Sequence, residues 1–325
     1  MESYRTLLAV LLMGLLFPSS WVVGKVRVES TGMPFATYYQ NVKMSEVLQK
    51  RPRVLVLDPW CGPNGRPWTK EELRKIKDAG VKPIAYLPVC VVAEYHPNLY
   101  REARRRNLLG ADDPEWPGDY AVKFWEPAWR DVLRSELARL KDLGFEGVFL
   151  DVVDAHSRDW YVRWYDRVNP HGDLRRDELN AVKWIAQTAH GLGLRVVVNA
   201  GAWAFEGDGM ARLQSRLGFA VTVESVLSDG SRRLYSRSEL ESNLRTLSRF
   251  QGPVYVIEYG LDPDDPSVRR AAEKLFDKTR ATCVYITSVK HDGIGVALVP
   301  LRRWLWDVTL GPLLGEPPSW IGGGR

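Results

Sequence analysis

Short runs of Val, Ile, Leu, Tyr and Phe alternate along the chain with segments whose apolar residues recur at helical spacing. The runs predict strands at Phe35–Tyr39, Arg53–Asp58, Pro83–Val89, Gly147–Asp151, Leu194–Asn199, Phe219–Glu224, Val254–Tyr259 and Thr282–Thr287. Between them the helical spacing predicts helices near Thr69–Ala79, Pro127–Leu143, Asp177–Leu192, Met210–Leu217, Ser236–Phe250 and Ser267–Thr279. Boundary chemistry supports these spans. Thr69 with Glu72 reads as a capping box, Pro127 suits a first helical turn, and Gly80, Gly144 and Gly193 follow helix ends. Repeated strand–helix alternation argues for an α/β protein built as a single (β/α)8 TIM barrel. The rival is a doubly wound open sheet, but no GxGxxG follows the first strand. Glu94–Glu126 reads as one long polar loop rich in Trp, Tyr and Pro.

The first residues differ in kind. Residues 6–17 (TLLAVLLMGLLF) are almost wholly apolar, follow Arg5 and lead into PSSWVVG. The run is shorter than the roughly 20 residues that span a bilayer. It reads as a signal peptide within residues 1–24, cleaved after Ser20 or Gly24, or else as an uncleaved anchor extended through Trp21–Val23. The expected organisation is therefore 1–24 leader, 25–300 barrel and 301–325 C-terminal extension, in a protein that is secreted or displayed outside the cytoplasm.

Composition narrows the partners. The 325 residues are 45% hydrophobic and 26% charged, with a net charge of +5 and a mean hydropathy of −0.26, the profile of a globular chain. The densest basic run, Arg101–Arg106, reads as a solvated face. No nucleic-acid-binding module accompanies it, so no nucleic-acid partner is expected. Three cysteines imply no disulfide framework, although Cys61 and Cys90 sit in neighbouring loops.

Barrel active sites lie at the C-terminal ends of the strands. Five predicted strands end there in polar groups: Asp58, Asp151, Asn199, Glu224 and Glu258. Several carboxylates on one barrel face suit acid/base cleavage of a glycosidic bond, one protonating the leaving oxygen and the other attacking or activating water. Among the 13 Trp residues, Trp60, Trp116, Trp125 and Trp203 fall in loops on that side, where their faces could stack on sugar rings. A competing chemistry would place a divalent ion on Asp151, Asp154 and His156 of DVVDAH. With five His in the chain and no other ligand spacing, no metal and no cofactor is expected.

GFEGVFLDVVDAH resembles the strand-four signature of glycoside hydrolase family 114, the endo-α-1,4-polygalactosaminidases, in which Gly-Phe-Asp-Gly leads to Asp-x-x-Asp. KPIAYLPV resembles that family's strand three and VTVES its strand six, in the same order. The chain departs from the pattern at Cys90–Glu94, where a Gly-Glu turn is usual, and at Glu146, where Asp is usual. The resemblance implies a secreted, cofactor-independent barrel that cuts an α-1,4-linked galactosamine polysaccharide internally with retention. It implies Asp151 and Glu224 as catalytic pair, with Asp151 as nucleophile and Glu224 as acid/base. Asp58, Tyr86, Asp154, Asn199, Trp60, Tyr259 and Tyr38 are the expected substrate-binding residues. A second pairing, Asp151 with Glu258, stays open, since Glu258 and Tyr259 alternate and only one can face the mouth. If Tyr259 faces in, Glu258 is expected against the helices, paired with an Arg. Two other readings also stay open: a catalytically silent carbohydrate-binding barrel, and a metal-dependent polysaccharide hydrolase or deacetylase.

Overall fold

The computed structural model describes residues 25–301. The leader and nearly all of the C-terminal extension lie outside the described residues. In chain order the strands are β1 (Val26–Glu29), β2 (Ala36–Tyr38), β3 (Val54–Leu57), β4 (Lys82–Pro88), β5 (Val91–Ala93), β6 (Leu109–Asp112), β7 (Asp119–Val122), β8 (Gly147–Asp151), β9 (Arg195–Asn199), β10 (Ala220–Glu224), β11 (Val254–Tyr259), β12 (Ala281–Thr287) and β13 (Val296–Pro300). The helices are α1 (Met44–Lys50), α2 (Lys70–Asp78), α3 (Pro97–Arg105), α4 (Pro127–Leu143), α5 (Asp159–Val168), α6 (Leu174–Gly191), α7 (Gly209–Leu217), α8 (Arg237–Leu247) and α9 (Pro266–Lys278).

The eight strands expected from the apolar runs pair in parallel in the order β2-β3-β4-β8-β9-β10-β11-β12, the strand order of a TIM barrel. Their helices start where the local chemistry directs. The capping box at α2 joins Thr69 and Glu72, a second one at α8 joins Ser236 and Glu239, and Gly144 ends α4 at φ +117°. Apolar residues on strand and helix faces merge into one core, with Trp129, Tyr161, Phe149 and Phe219 fully buried in it.

Strands β2 and β12 do not pair among the described residues. The free edge of β12 is taken by antiparallel β13, and β13 carries β1, so the curled sheet has ten strands. Contacts other than a ladder close the seam. The Tyr285 hydroxyl donates to the Thr37 carbonyl (3.1 Å), the Tyr39 amide donates to the His291 carbonyl (2.9 Å), and Phe35 stacks on Tyr255 with centroids 4.7 Å apart.

The segment read as a single loop, Glu94–Glu126, is structured. Beginning at β5, it forms a three-stranded antiparallel sheet in the order β5-β7-β6, with α3 folded against it. The basic run lies on α3 and its C-cap, where Glu102 accepts from Arg105 and Arg106. Cys61 and Cys90 are separate thiols, and Cys90 and Cys283 are buried. No helix among the described residues is long and apolar enough to cross a membrane.

Candidate active site

Asp151, Asn199 and Glu224 end the adjacent strands β8, β9 and β10. The period-two alternation that turns Asp151 into the mouth also turns Phe149 inward, and that of Glu224 turns Thr222 inward. The Asn199 amide lies between the two carboxylates. Its Nδ2 donates to Asp151 Oδ1 and to Glu224 Oε1, each at 2.8 Å, while its Oδ1 accepts from Thr222 Oγ1 at 3.3 Å. A nitrogen 2.8 Å from each oxygen holds the two within about 5.6 Å, and about 4.8 Å when its N–H bonds diverge at the usual amide angle.

Each carboxylate has a second, private donor. Tyr86 Oη donates to Asp151 Oδ2 at 2.7 Å, and Tyr259 Oη donates to Glu224 Oε2 at 2.7 Å. Burial, with the charge of Asp151 next, raises the Glu224 pKa above its ordinary 4.5, against the opposing pull of the Tyr259 and Asn199 hydrogen bonds. Burial and the neighbouring carboxylates push the Tyr86 and Tyr259 phenols well above their ordinary value, so both stay protonated donors.

Two residues of the mouth escaped the sequence reading. Tyr39, not Tyr38, faces the pair: burial, followed by the charges of Asp151 and Glu224, raises its pKa, and its ring lies 5.2 Å from that of Tyr86. The structure does not bring Tyr38 to the mouth. Its side chain points to the helix layer, where its hydroxyl donates to Glu46 Oε2 (2.9 Å) and accepts from the Lys43 amide (3.1 Å). The three-residue strand β2 is buried at every position, so its polarity pattern carried no phase. His291 is the other omission. It sits in the β12–β13 loop, with Nδ1 2.6 Å from Thr37 Oγ1, Nε2 3.4 Å from Tyr259 Oη and its ring 4.7 Å from that of Tyr39. Burial pushes its pKa down to about 4, leaving a neutral imidazole at ordinary pH. No local signal marks this histidine, because the strand that returns the loop was itself unforeseen.

Other expected residues are held by their own loops. Asp58 is buried, accepting from the Trp60 amide (2.7 Å) and meeting His96 Nε2 at 3.2 Å. Trp60 packs beneath the Arg139 guanidinium, 4.3 Å from its ring centroid. Asp154 Oδ2 accepts the Ala202 amide (2.7 Å) and so ties the loop after β8 to the loop after β9. Trp203 is buried and donates to the Val153 carbonyl and to Glu178, while Trp125 packs with Trp164 and Tyr165. Trp116 is exposed on the insertion.

Asp151, Asp154 and His156 do not converge on one point. His156 directs Nδ1 to Glu178 (2.5 Å) and Nε2 to Glu206 (3.2 Å). Glu258 points away from the mouth, as expected once Tyr259 faces in, but no Arg among the described residues meets it. It accepts from the amides of Val226 and Leu227 and from Ser228 Oγ at 2.6–2.7 Å. Glu94 is exposed on the insertion and accepts from Tyr100 and Tyr120. A cavity of about 690 Å³ opens at the opposite end of the strands, lined by Arg53, Lys82, Arg195 and Tyr255, away from the carboxylates.

A parallel strand order of the barrel type, with two carboxylates bridged by an amide at the strand ends, is the arrangement of a barrel glycoside hydrolase. The model of glycoside-hydrolase family GH114 matches residues 48–298, and the chain belongs to that family. Among solved structures, it is similar to Aspergillus fumigatus Ega3 in complex with galactosamine (16% identity, TM-score 0.57, covering 83% of this chain and 95% of that one). It is also similar to the glycoside hydrolase domain of Pseudomonas aeruginosa PelA (19% identity, TM-score 0.56, covering 80% and 96%). At these identities the likeness is one of fold. Curated relatives include an uncharacterized protein of Thermotoga maritima, 31% identical over 162 residues, and one of Methanocaldococcus jannaschii, 33% identical over 135. These matches span 48% and 41% of this chain, and half or less of the relatives' own length (50% and 39%).

Proposed function

We propose that this protein is an extracytoplasmic glycoside hydrolase that cuts an amino-sugar polysaccharide of the α-1,4-galactosaminan type internally, with retention of configuration. The observation that carries the reading is the shared Asn199 donor, which keeps the facing oxygens of the two carboxylates within about 5.6 Å of each other. Retaining pairs stand about 5–5.5 Å apart, whereas inverting pairs leave roughly 6.5–9.5 Å for a water between them. Membership of the family, together with the galactosamine in the Ega3 complex, supports the substrate class.

In the first step Glu224, its proton retained by burial and by the charge of Asp151, protonates the glycosidic oxygen as the bond to the anomeric carbon breaks. Asp151, held by Tyr86 and Asn199, attacks that carbon from the opposite face and forms a glycosyl ester. Glu224, now ionised, removes a proton from water. The water oxygen then attacks the anomeric carbon, releases Asp151 and returns the carboxyl to its protonated state. Tyr86 and Tyr259 keep the two carboxylates in place through both steps.

The test is release of reducing ends from galactosaminan and a panel of neutral polysaccharides, with and without chelator, beside Asp151→Asn and Glu224→Gln. Chelator-insensitive cleavage lost in both variants is the expected result. Sugar binding without cleavage of any polymer would overturn it in favour of a silent binding barrel. Cleavage abolished by chelator would favour a metal-dependent hydrolase.

A further inference from the structure

The floor of the barrel, opposite the carboxylates, is hollow and basic. Its cavity of about 690 Å³ has the size of a small-ligand site. Strand alternation decides what lines it. Asp151, Phe149 and Gly147 face inward, and Gly147 pairs with Ile84 on one side and Arg195 on the other. A Cβ on Gly147 would come 2.7 Å from Ile84 Cδ1 and 3.0 Å from Arg195 Cβ, so these three share the inner face. Lys82, two residues before Ile84, starts β4 on that same face. Barrels of this type fill the inner layers with bulky branched side chains. Here Gly147 has no side chain and Ala220 a single carbon, and Tyr255, stacked on Phe35, forms part of the wall.

The charges at this opening have one sign. Arg53, Lys82, His190 and Arg195 line it, and among the described residues no carboxylate does. Lys82 and Arg195 are exposed, and neither side chain makes an ion pair or hydrogen bond among the described residues. His190 answers the C-terminal dipole of α6, but Lys82 and Arg195 start strands, so no helix end accounts for them. Their strands lie two apart, about 10 Å, a gap that two long side chains can close on one phosphate. The guanidinium fork takes two phosphate oxygens and the ammonium adds a point charge. Both ends of the described chain leave from this floor. Strand β13 runs antiparallel to β12 and β1 antiparallel to β13, so β13 finishes and β1 begins there, the Leu301 amide donating to the Lys25 carbonyl (2.8 Å). Only residues 18–24 separate Lys25 from the apolar run 6–17. Seven residues reach at most about 25 Å, so a bilayer that holds that run stands next to the floor.

We propose that the floor of the barrel is a docking surface for an anionic phospholipid membrane, with Lys82 and Arg195 holding a lipid phosphate in the cavity. The mouth, at the other end of the strands, then opens away from the bilayer. The proposal stands apart from the glycosidase reading, because the floor shares no side chain with the carboxylate pair and its donors.

The experiment is co-sedimentation of the full chain with vesicles of phosphatidylcholine alone and of phosphatidylcholine mixed with phosphatidylglycerol. The apolar leader contributes to both, so the quantity read is the preference for the anionic vesicle. Lys82→Gln and Arg195→Gln are each expected to reduce that preference about fivefold. The same loss of charge at Arg163→Gln with Arg167→Gln, exposed on α5 and outside the cavity, is expected to leave it within about twofold. Thermal unfolding checks that each variant keeps its fold. An undiminished preference in the protein carrying both floor substitutions, or an equal loss in the α5 variant, overturns the proposal. Calorimetric titration with glycerol 3-phosphate separates the two sources of phosphate. Tight binding of that ester with no preference between vesicles also overturns membrane docking and makes the cavity a site for a free phosphate ester.

Discussion

Asp151 and Glu224, on strands separated by β9, share one donor, the Nδ2 of Asn199, at 2.8 Å to each. Two like charges this close favour protonation of one of them, and the shared amide limits how far that goes. Removing the amide therefore acts in two ways: the carboxylates lose their common anchor, and the Glu224 pKa, which the Asn199 bond lowers, rises further. Asn199→Ala is expected to cost about 10²–10³ in kcat, the usual loss for a preorganised donor, and to move the alkaline limb of activity to higher pH. A full pH–rate profile of the variant reads both effects.

The two carboxylates separate by leaving group. Asp151→Asn removes the proposed nucleophile and is expected to abolish turnover of every substrate. Glu224→Gln removes the proposed proton donor and is expected to lose about 10²–10⁴ on polysaccharide. Glu224→Gln should keep the glycosylation step on an aryl glycoside whose phenolate needs no proton, seen as a burst of released phenol. A burst in Asp151→Asn instead would reverse the roles.

Tyr259 sets the alkaline limb from the other side. Its hydroxyl stabilises the ionised form of Glu224 and so lowers a pKa that burial has raised. Tyr259→Phe removes that stabilisation, the pKa of Glu224 goes up, and the proton donor survives to higher pH. The alkaline limb of kcat/KM is expected to shift upward, while kcat falls because the carboxyl is less well held.

Glu258 predicts a pH dependence of stability rather than of activity. Burial raises its pKa from 4.5 to about 7, overcoming the three donors that favour its charge. A folded-state pKa above the unfolded one means the contribution is fully present below pH 4.5 and is lost as pH rises towards 7. The shift corresponds to a loss on the order of 3 kcal/mol. Glu258→Gln can keep its oxygen on the Val226 and Leu227 amides and donate to Ser228 Oγ. Its denaturant midpoint should stay level between pH 4.5 and 7, where that of the unsubstituted protein declines relative to it.

Gly201 is irreplaceable for a local reason. It sits at φ +49°, and a Cβ there would come 2.1 Å from Asp154 Oδ2, the atom that holds the Ala202 amide. Gly201→Ala therefore combines backbone strain with displacement of Asp154, and is expected to destabilise the fold by about 1–3 kcal/mol. Asn199 lies two residues away, so activity should fall as well. Chemical denaturation and kcat measured on the same preparation test the coupling.

Much of this architecture is legible in the chain because its causes are local. Apolar runs, the capping box at Thr69 and the glycine ending α4 place the eight parallel strands within a residue or two and six helices within three, since each signal acts on its own turn or strand, whereas α1, α3 and α5 were not foreseen. The same runs end in Asp151, Asn199 and Glu224, so the carboxylates' presence at one rim follows from strand order alone. Other features depend on what packs where. Phe35–Tyr39 has no polar face, so only contact with α1 and the β12–β13 loop decides that Tyr38 turns out and Tyr39 in. The partners of Asp58, Glu258 and His156 come from loops and a helix distant in sequence, and the edge strands β1 and β13 are short runs whose role exists only because β12 leaves them an edge. The chain's own pattern establishes which residues are buried and which strands they end. Which neighbour a buried polar group meets, and hence which carboxylates form a pair, is decided only when the sheet curls and brings donors from separate strands within hydrogen-bonding distance.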